Sequence, residues 1–299
     1  MNSNYFALKM CKKFRVSEKK QTDANEKPNK EEKPKDLNFL ELRELIIMKR
    51  INHQNVINLI DYNIGHEDCQ VWILMDYIPT DLFQFLSKNH ANPKVMNEKF
   101  FKNIAYQILD GVNYLHQHMI IHRDLKLENI LYDETNNKVK IGDFGLSRQI
   151  DYEVDHHYTI AGTCPYQSPE LILGSTNYST AIDIWSVGCI FVLFVTYTHL
   201  FGSDNALNVL KLMINIFGSF NETLLPGYNY FPNSKIFKIF EKTKECKGIG
   251  LVNYIKSKKL FDFENDDFYD LIEKMLYVDP TKRINAEKCL SHPWFAKKY

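Results

Sequence analysis

The spacing of apolar residues divides the chain into a short region of strand-like patterns and a longer region of helical patterns. Residues 5–10 alternate in polarity, and residues 59–62 and 71–77 form short runs of strand-favouring residues. These patterns predict strands, because successive side chains of a strand face opposite sides. Residues 37–51 instead place apolar side chains three and four positions apart, which is typical of an amphipathic helix.

Helical patterns dominate the rest of the chain. Residues 101–115 have the helical period, and Asn97 is placed to cap the first turn. The apolar run at 187–195 has about half of the ~20 residues that a membrane span needs, so we interpret it as a buried core helix. The patterns therefore predict an α+β fold with a small strand-rich N-terminal part and a large, mainly helical C-terminal part.

Composition narrows the class of protein. The chain has 299 residues, 44% of them apolar, and its 37 Lys and Arg balance 37 Asp and Glu. This balance argues against a strongly basic nucleic-acid binder, and the first ten residues lack the long apolar run of a secretory signal. The six cysteines include no C-x-x-C pair, which favours reduced thiols and a cytoplasmic or nuclear location. We expect neither a nucleic-acid nor a membrane partner.

One segment departs from this balance. Residues 11–36 are rich in Lys, Glu and Asn, contain two prolines and offer few apolar residues that could anchor them. We interpret this segment as a flexible, solvated insertion. A nucleic-acid-binding patch is the alternative, but the glutamates dilute its charge and aromatic residues hardly interleave.

Five motifs from residue 122 onwards suggest a specific chemistry. They are His122-Arg123-Asp124-Leu125-Lys126-Leu127-Glu128-Asn129, Asp143-Phe144-Gly145, Ser168-Pro169-Glu170, Asp183-Ile184-Trp185 and a late arginine, Arg283. In this order and spacing they resemble the motifs of eukaryotic protein kinases. Lys126 and Thr163 resemble the serine/threonine type. The resemblance implies a bilobal protein kinase-like fold, with an N-lobe over 1–77 that is truncated and a C-lobe over 78–299.

The resemblance also implies an ATP- and Mg²⁺-dependent transfer of the γ-phosphoryl group to protein Ser and Thr hydroxyls. Asp124 would accept or orient the substrate hydroxyl proton, and Lys126 would place a cation on the moving phosphoryl group. Asn129 and Asp143 would hold Mg²⁺ through oxygen atoms, which a hard cation prefers. Lys9, in Phe6-Ala7-Leu8-Lys9, would contact the α- and β-phosphates, and Glu44 would pair with it.

Further residues take roles by the same resemblance. Ala7 and Leu131 would sandwich the adenine, Met75 would be the gatekeeper, the hinge over 76–78 would include Asp76 and Ile78, and Asp81 could reach the ribose. A buried stack, the regulatory spine, would consist of Met48, Leu59, His122 and Phe144. Glu170 and Arg283 would form a buried ion pair, and Asp183 would brace the catalytic loop. A metal cluster of His116, His118 and His122 is the weaker alternative for the three histidines.

Several segments resemble the cyclin-dependent and MAP kinase group (CMGC), among them Asp279-Pro280-Thr281-Lys282-Arg283. Two departures matter. The helix over 37–51 does not match the group's cyclin-binding motif, and Gln167 replaces an arginine that helps to shape a proline-accepting pocket. Neither a cyclin partner nor proline-directed specificity is therefore predicted. Arg123 suggests control by phosphorylation, first at Thr159 and second at Tyr158. The expected partners are protein substrates and an activating kinase or regulatory subunit.

The small lobe lacks one expected feature. Only four residues precede Tyr5, and no glycine precedes Gly65, so the glycine-rich loop that covers the ATP phosphates in kinases is missing. We expect this to weaken ATP binding. Two hypotheses follow: an active serine/threonine kinase whose sequence lacks its first strands through a misplaced start or a missed exon, or a catalytically impaired kinase-like binding or scaffold module.

Overall fold

The computed structural model describes residues 5–10, 39–65, 70–92, 95–150, 162–235, 246–260 and 265–296. The predicted insertion over 11–36 and the predicted phosphorylation positions, Thr159 and Tyr158, lie outside these residues. The domain boundary between residues 77 and 78 stays a prediction.

The N-terminal part contains a three-stranded antiparallel sheet in the order β1-β3-β2. Its strands are β1 (Phe6–Met10), β2 (Leu59–Ile64) and β3 (Val71–Asp76), and helix α1 (Phe39–Met48) lies between β1 and β2 in the chain. The helix is shorter than the predicted 37–51, because the chain turns at Lys49 and Arg50. Leu45, Ile47 and Met48 of α1 are buried in the main core. The register opposes Lys9 to Ile73, which places the lysine one residue before the end of β1.

The next part of the chain, residues 80–149, contains two helices and five short strands. Its elements are β4 (Thr80–Asp81), α2 (Leu82–Asn89), α3 (Glu98–Gln117), β5 (Ile120–Ile121), β6 (Ile130–Asp133), β7 (Lys138–Ile141) and β8 (Arg148–Gln149). Strands β4, β6 and β7 form one small sheet, and β5 pairs with β8. The predicted cap of α3 is confirmed, since the Asn97 side chain accepts a hydrogen bond from Phe100 N at 3.0 Å.

The remaining helices form the bulk of the C-terminal part. They are α4 (Pro169–Ile172), α5 (Ala181–Thr196), α6 (Ala206–Phe217), α7 (Leu251–Lys258), α8 (Asp266–Met275), α9 (Ala286–Leu290) and α10 (Pro293–Ala296). Helix α5 contains the apolar run 187–195 and is buried along almost its whole length, so the prediction of a core helix is confirmed. Within the described ranges, no helix has both the length and the apolar character required to cross a membrane.

Backbone contacts join the two parts beside the polar loops. Ile57 N donates to Ile141 O at 2.8 Å, and Ile141 N donates to Asn55 O at 2.9 Å. Helix α3 passes close to this segment: a Cβ atom on Gly111 would lie only 2.7 Å from Asn55 O. A side chain at this position would push the helix away from the segment that leads from α1 to β2. The start of the Asp143 motif is therefore fixed relative to both parts.

Candidate active site

A lysine from β1, a glutamate from α1 and an aspartate after β7 meet where the two parts face each other. Lys9 Nζ donates to Glu44 Oε1 at 2.7 Å and Oε2 at 3.0 Å, and to Asp143 Oδ1 at 3.1 Å. Burial alone would lower the pKa of Lys9, but the two carboxylates outweigh it and raise that pKa. Burial favours a raised pKa for Asp143, but Lys9 outweighs it and lowers that pKa. Lys9 and Asp143 are therefore charged at neutral pH.

A cavity of about 220 Å³ adjoins this triad. It is lined by Ala7, Leu8, Lys9, Glu44, Met48, Ile57, Met75 and Asp143. One end carries the charged groups, and the rest is apolar. The predicted gatekeeper Met75 and the predicted phosphate-contacting Lys9 thus face the same space. Of the lining residues, Leu8 and Ile57 have no role in the sequence interpretation.

The catalytic loop between β5 and β6 holds a second cluster of polar side chains, Asp124, Lys126 and Thr163. Asp124 accepts a hydrogen bond from Thr163 Oγ1 at 2.7 Å through Oδ1, and its Oδ2 lies 3.0 Å from Lys126 Nζ. Lys126 Nζ also donates to Thr163 Oγ1 at 3.1 Å. Asp124 is therefore held by both a hydroxyl group and an ammonium group. Thr163 connects this loop to the segment that precedes α4, a contact that the sequence interpretation did not include.

Asn129 and Asp143 have oxygen atoms suitable for a hard cation. Asn129 Nδ2 donates to Asp124 O at 2.8 Å and to Asp124 Oδ2 at 3.2 Å, which directs the amide oxygen away from Asp124. Asp143 has a φ of 59°, and its side chain is 52% exposed. Within the described residues, no group of three His, Cys, Asp or Glu side chains could enclose a metal. The donor set therefore fits Mg²⁺ that shares its ligands with a phosphate, because this ion usually takes only one or two carboxylates from a protein.

Asp183, at the start of α5, lies beneath the catalytic loop and is 1% exposed. It accepts hydrogen bonds from His122 N at 2.8 Å and Arg123 N at 2.9 Å, and His116 Nε2 lies 2.9 Å from its Oδ2. Burial tends to raise the pKa of Asp183, but the hydrogen bond from His116 and these other contacts lower it. The carboxylate is therefore charged and braces a loop in which Arg123 has a φ of 71°.

The three histidines that could have formed a metal cluster have different partners. His116 contacts Asp183, His118 Nδ1 lies 2.8 Å from Tyr114 O, and His122 Nε2 lies 2.9 Å from Gly142 O. His122 is also near Phe144, with 5.3 Å between the ring centroids. Both rings are fully buried, as the predicted spine requires. The other two members, Met48 and Leu59, belong to the same core.

The residues predicted around adenine lie along the junction of the two parts. Ala7 opposes Met75 in the sheet, and Leu131 lies on β6 with its side chain against Gly142. Ile78 is half-buried against the core. Asp76 turns its carboxylate to Lys140, whose Nζ lies 2.7 Å from Oδ2, so only the Asp76 backbone can face a nucleotide.

Asp81, the predicted ribose contact, is engaged at the start of α2. Its Oδ1 accepts from Gln84 N at 2.8 Å, and its Oδ2 accepts from Gln84 Nε2 at 2.7 Å. The first of these bonds is an N-cap, which satisfies a backbone donor of the first helical turn. A ribose contact would have to share these carboxylate oxygens.

Two structural contacts lie below the substrate side of the site. Arg283 donates from Nη1 to Glu170 Oε1 at 2.9 Å and from Nη2 to Glu170 Oε2 at 3.1 Å, and both residues are buried. This is the bidentate pair that the motifs predicted. Gln167, at the position of the missing arginine, donates from Nε2 to Gly162 O at 3.0 Å. Gly162 has a φ of 104°, and a Cβ there would lie 2.6 Å from Arg123 O.

Known proteins share this fold and these motifs. The model of the protein kinase domain family matches residues 2–295. A Dictyostelium discoideum protein named probable cyclin-dependent kinase 10 is 34% identical over 254 residues, which are 85% of this chain and 66% of that protein. Another from the same organism, named probable cyclin-dependent kinase 8, is 32% identical over 277 residues, covering 87% of this chain and 70% of that protein.

A solved structure agrees with these sequence relatives. The crystal structure of the yeast RNA Pol II CTD kinase CTDK-1 complex contains a chain that matches with a TM-score of 0.78 and 26% identity. The match covers 98% of this chain and 86% of that chain. The predicted bilobal kinase fold and the resemblance to the CMGC group are therefore confirmed. The chain belongs to the protein kinase domain family and is a serine/threonine kinase similar to the cyclin-dependent kinases.

Proposed function

We propose that this chain transfers the γ-phosphoryl group of Mg-ATP to Ser and Thr hydroxyls of proteins, with Asp124 as the residue that receives or orients the hydroxyl proton. The observation that carries the proposal is the hydrogen bond of 2.7 Å from Thr163 Oγ1 to Asp124 Oδ1. It shows that a hydroxyl group reaches this carboxylate, and Lys126 lies beside both groups. A substrate hydroxyl could approach the same carboxylate.

Each proposed role follows from the charge and position of a side chain. Lys9 is held by Glu44 and faces the cavity, where its ammonium group would neutralise phosphate oxygens. Lys126 would stabilise negative charge on the moving group, because a fixed cation in a partly dry site needs no rearrangement during the reaction. Asn129 and Asp143 would hold Mg²⁺, which would supply positive charge to neutralise the phosphates of ATP.

The nucleotide base would occupy the junction of the two parts. We assign its two faces to Ala7 and Leu131, its edge to the backbone at Asp76 and Ile78, and the ribose to Asp81. The support is that Ala7 forms part of the cavity wall and opposes Met75 in the sheet, and that Asp81 opposes Leu131 between β4 and β6. The Asp76–Lys140 ion pair would keep the Asp76 side chain out of this space.

The contact between Gln167 and Gly162 bears on the substrate sequence. Gly162 directly precedes Thr163, so its carbonyl lies next to the residue that contacts Asp124. Gln167 already donates to that carbonyl, which leaves the carbonyl one of its two acceptor positions for a substrate backbone N–H. Proline has no N–H to leave unpaired. We therefore propose a preference for proline directly after the phosphorylated residue, although the sequence alone did not predict it.

Peptide competition tests this preference. A peptide with Ser-Pro should be phosphorylated more efficiently than the same peptide with Ser-Ala, and Gln167→Ala should reduce the ratio of their kcat/KM values severalfold. Equal use of both peptides by the unaltered chain would contradict the preference without contradicting the kinase activity.

Control by phosphorylation and by a partner completes the proposal. Phosphorylation at Thr159, and secondarily at Tyr158, would supply an anion for Arg123. Thr159→Ala should then lower the activity of protein that an activating kinase has treated. The relatives named cyclin-dependent kinases and the relative in a complex support a regulatory subunit as partner. The half-exposed Ile46 on α1 offers such a subunit an apolar contact.

The decisive experiment is a phosphotransfer assay on the 299-residue chain with radiolabelled ATP, Mg²⁺ and a mixed set of Ser- and Thr-containing peptides. We expect transfer to the peptides that Asp143→Asn abolishes. Unchanged transfer by the Asp143→Asn variant would indicate a contaminating kinase. No transfer by a correctly folded chain in the presence of Mg²⁺ would favour the kinase-like scaffold.

A further inference from the structure

A small hydrophobic cluster lies apart from the main core, below the catalytic loop. It consists of Ile121, Leu171 and Ile182, with Ile150 and Tyr178 packed against it. These residues come from β5, α4 and α5 and from the loops beside them. The cluster therefore joins β5, which leads into the catalytic loop, to helices α4 and α5. The ring of Tyr178 packs against it.

The hydroxyl of Tyr178 contacts the catalytic loop directly. Arg123 Nη1 donates to Tyr178 OH at 2.6 Å, and Arg123 Nε donates to Leu146 O at 2.6 Å. Leu146 directly follows the Asp143 motif. One guanidinium group thus bridges the catalytic loop, the segment after the proposed metal ligand and the loop before α5.

The surroundings of Arg123 make this hydroxyl important. Arg123 is 6% exposed and precedes Asp124 with a φ of 71°, a conformation that most side chains avoid. Arg43 of α1 lies near enough for burial and the charge of Arg123 to lower the pKa of Arg43. Repulsion between the two cations acts to displace the guanidinium, and a neutral hydroxyl held by a packed ring resists that displacement.

We propose that Tyr178 is a positioning residue for catalysis: through Arg123 it fixes the distance between the Asp124 loop and the Asp143 segment. The proposal rests on the proposed kinase function of those two aspartates. Tyr178 does not line the cavity beside Lys9 and Asp143, so its removal should change the rate of the chemical step more than substrate affinity. The hydrogen bonds that the Asp183 carboxylate accepts from the N–H groups of His122 and Arg123 remain, which limits the effect.

Tyr178→Phe tests the proposal, because it keeps the ring on the cluster and removes only the hydroxyl. We expect kcat to fall about tenfold, which corresponds to ~1.4 kcal/mol in the barrier. KM for ATP and for peptide should stay within about twofold. The matched control is Tyr114→Phe, which removes a hydroxyl that accepts from Asn52 N at 2.9 Å on another face of the molecule. Its kcat should be unchanged.

A second pair of measurements separates positioning from general stability. In an Arg123→Met background, Tyr178→Phe should cause no further loss of kcat, because its effect passes through that guanidinium. Hydrogen–deuterium exchange of the peptide over 120–129 should be faster in Tyr178→Phe than in Tyr114→Phe, with equal thermal midpoints. Phosphatase treatment and mass spectrometry would ensure the same phosphorylation state.

The outcomes distinguish the two proposals. If the unaltered chain transfers no phosphate but the exchange result is as expected, the proposed function fails and the positioning role stands. If the chain is active and Tyr178→Phe changes neither kcat nor exchange, the positioning role is overturned. An equal loss of kcat in the Arg123→Met background, or in Tyr114→Phe, would also overturn it.

Discussion

The two parts of the molecule hold their shares of the site in different ways. In the N-terminal part, Lys9 lies on a short strand, and its side chain is 37% exposed. In the C-terminal part, the side chain of Asp124 is only 10% exposed, and Asp183 beneath it is fully enclosed. Asp124 and Asp183 each have three polar partners, whereas Lys9 is tied to the site by two carboxylates. We therefore expect contacts in the N-terminal part to break at a lower cost in stability than the buried contacts of the C-terminal part.

Burial explains this contrast. Removing one member of a buried ion pair leaves a charge away from water, which costs far more than losing a contact at the surface. The helical part can therefore keep the catalytic loop in a strained geometry. Because the Lys9 side chain is partly exposed, we expect its contact with Asp143 to break at little cost in stability.

The largest effect is expected from Asp124→Asn. An amide accepts a proton poorly, so kcat should fall by roughly 10²- to 10⁴-fold. The free energy of unfolding should change little, because the amide can keep hydrogen bonds to Thr163 and Asn129. A steady-state phosphotransfer assay and urea unfolding measure the two quantities. Asp270→Asn, at an exposed helical position, is the control, and comparable activity of the two variants would contradict the role of Asp124.

The contrast predicts next that the Glu170–Arg283 pair contributes mainly to stability. Arg283→Leu should lower the free energy of unfolding by about 3–5 kcal/mol, because it leaves the Glu170 carboxylate buried without its partner. Lys274→Met removes one member of the exposed Lys274–Asp270 pair and should cost only about 0–1 kcal/mol. Urea denaturation of both variants gives the comparison. Equal losses would mean that burial does not separate the two kinds of pair.

Glu44→Gln should show the opposite balance in the N-terminal part. The amide can still accept a hydrogen bond from Lys9 but no longer fixes it by charge, and a misplaced group can reduce the rate by up to ~10²-fold. We expect kcat/KM for ATP to fall tenfold or more. The free energy of unfolding should change by less than about 1 kcal/mol, because the Lys9 ammonium group keeps its ion pair with Asp143 and remains partly exposed to water.

Glu273→Gln, on the exposed side of α8, is the matched control for this substitution. It should alter neither the kinetics nor the stability. A large loss of stability in Glu44→Gln with normal kinetics would reverse the contrast between the two parts.

The fold and the charged residues of the site were predictable from the sequence, because apolar periodicity and short motifs are local features of a chain. Periodicity located the main strands and helices, and the motifs named Asp124, Asn129 and Asp143 in advance. Helix ends were less accurate: the helix expected over 37–51 covers Phe39–Met48. The roles of these residues in catalysis stay predictions, although the structure brings them together.

Contacts between distant segments were beyond the sequence. Nothing near Tyr178 marks it as a partner of Arg123, 55 positions away. Likewise, the sequence shows only that Gln167 replaces the expected arginine. It does not show that the Gln167 side-chain amide donates to the Gly162 carbonyl. Both contacts depend on how loops fold over one another, which periodicity and motif spacing do not encode.

The smallest effect expected concerns acid stability of the C-terminal part. The folded pKa of Asp183 is lowered relative to an unfolded aspartate, so its stabilising effect is present above the unfolded pKa. It is lost as the pH falls through the folded pKa, in the acid range below the ordinary value of 3.8. His116→Phe removes a hydrogen-bond donor and should shift this loss to higher pH. At neutral pH the cost should be about 1–2 kcal/mol.

Urea unfolding between about pH 3 and pH 7 measures this shift, because aspartate side chains usually titrate near the lower end of this range. His118→Phe is the control, because the His118 side chain contacts only a helical carbonyl and a tyrosine ring among the described residues. If both variants lose stability at the same pH as the unaltered chain, His116 does not set the pKa of Asp183. The backbone N–H groups of His122 and Arg123 would then stabilise the carboxylate without it, and the brace beneath the catalytic loop would be a property of the backbone alone.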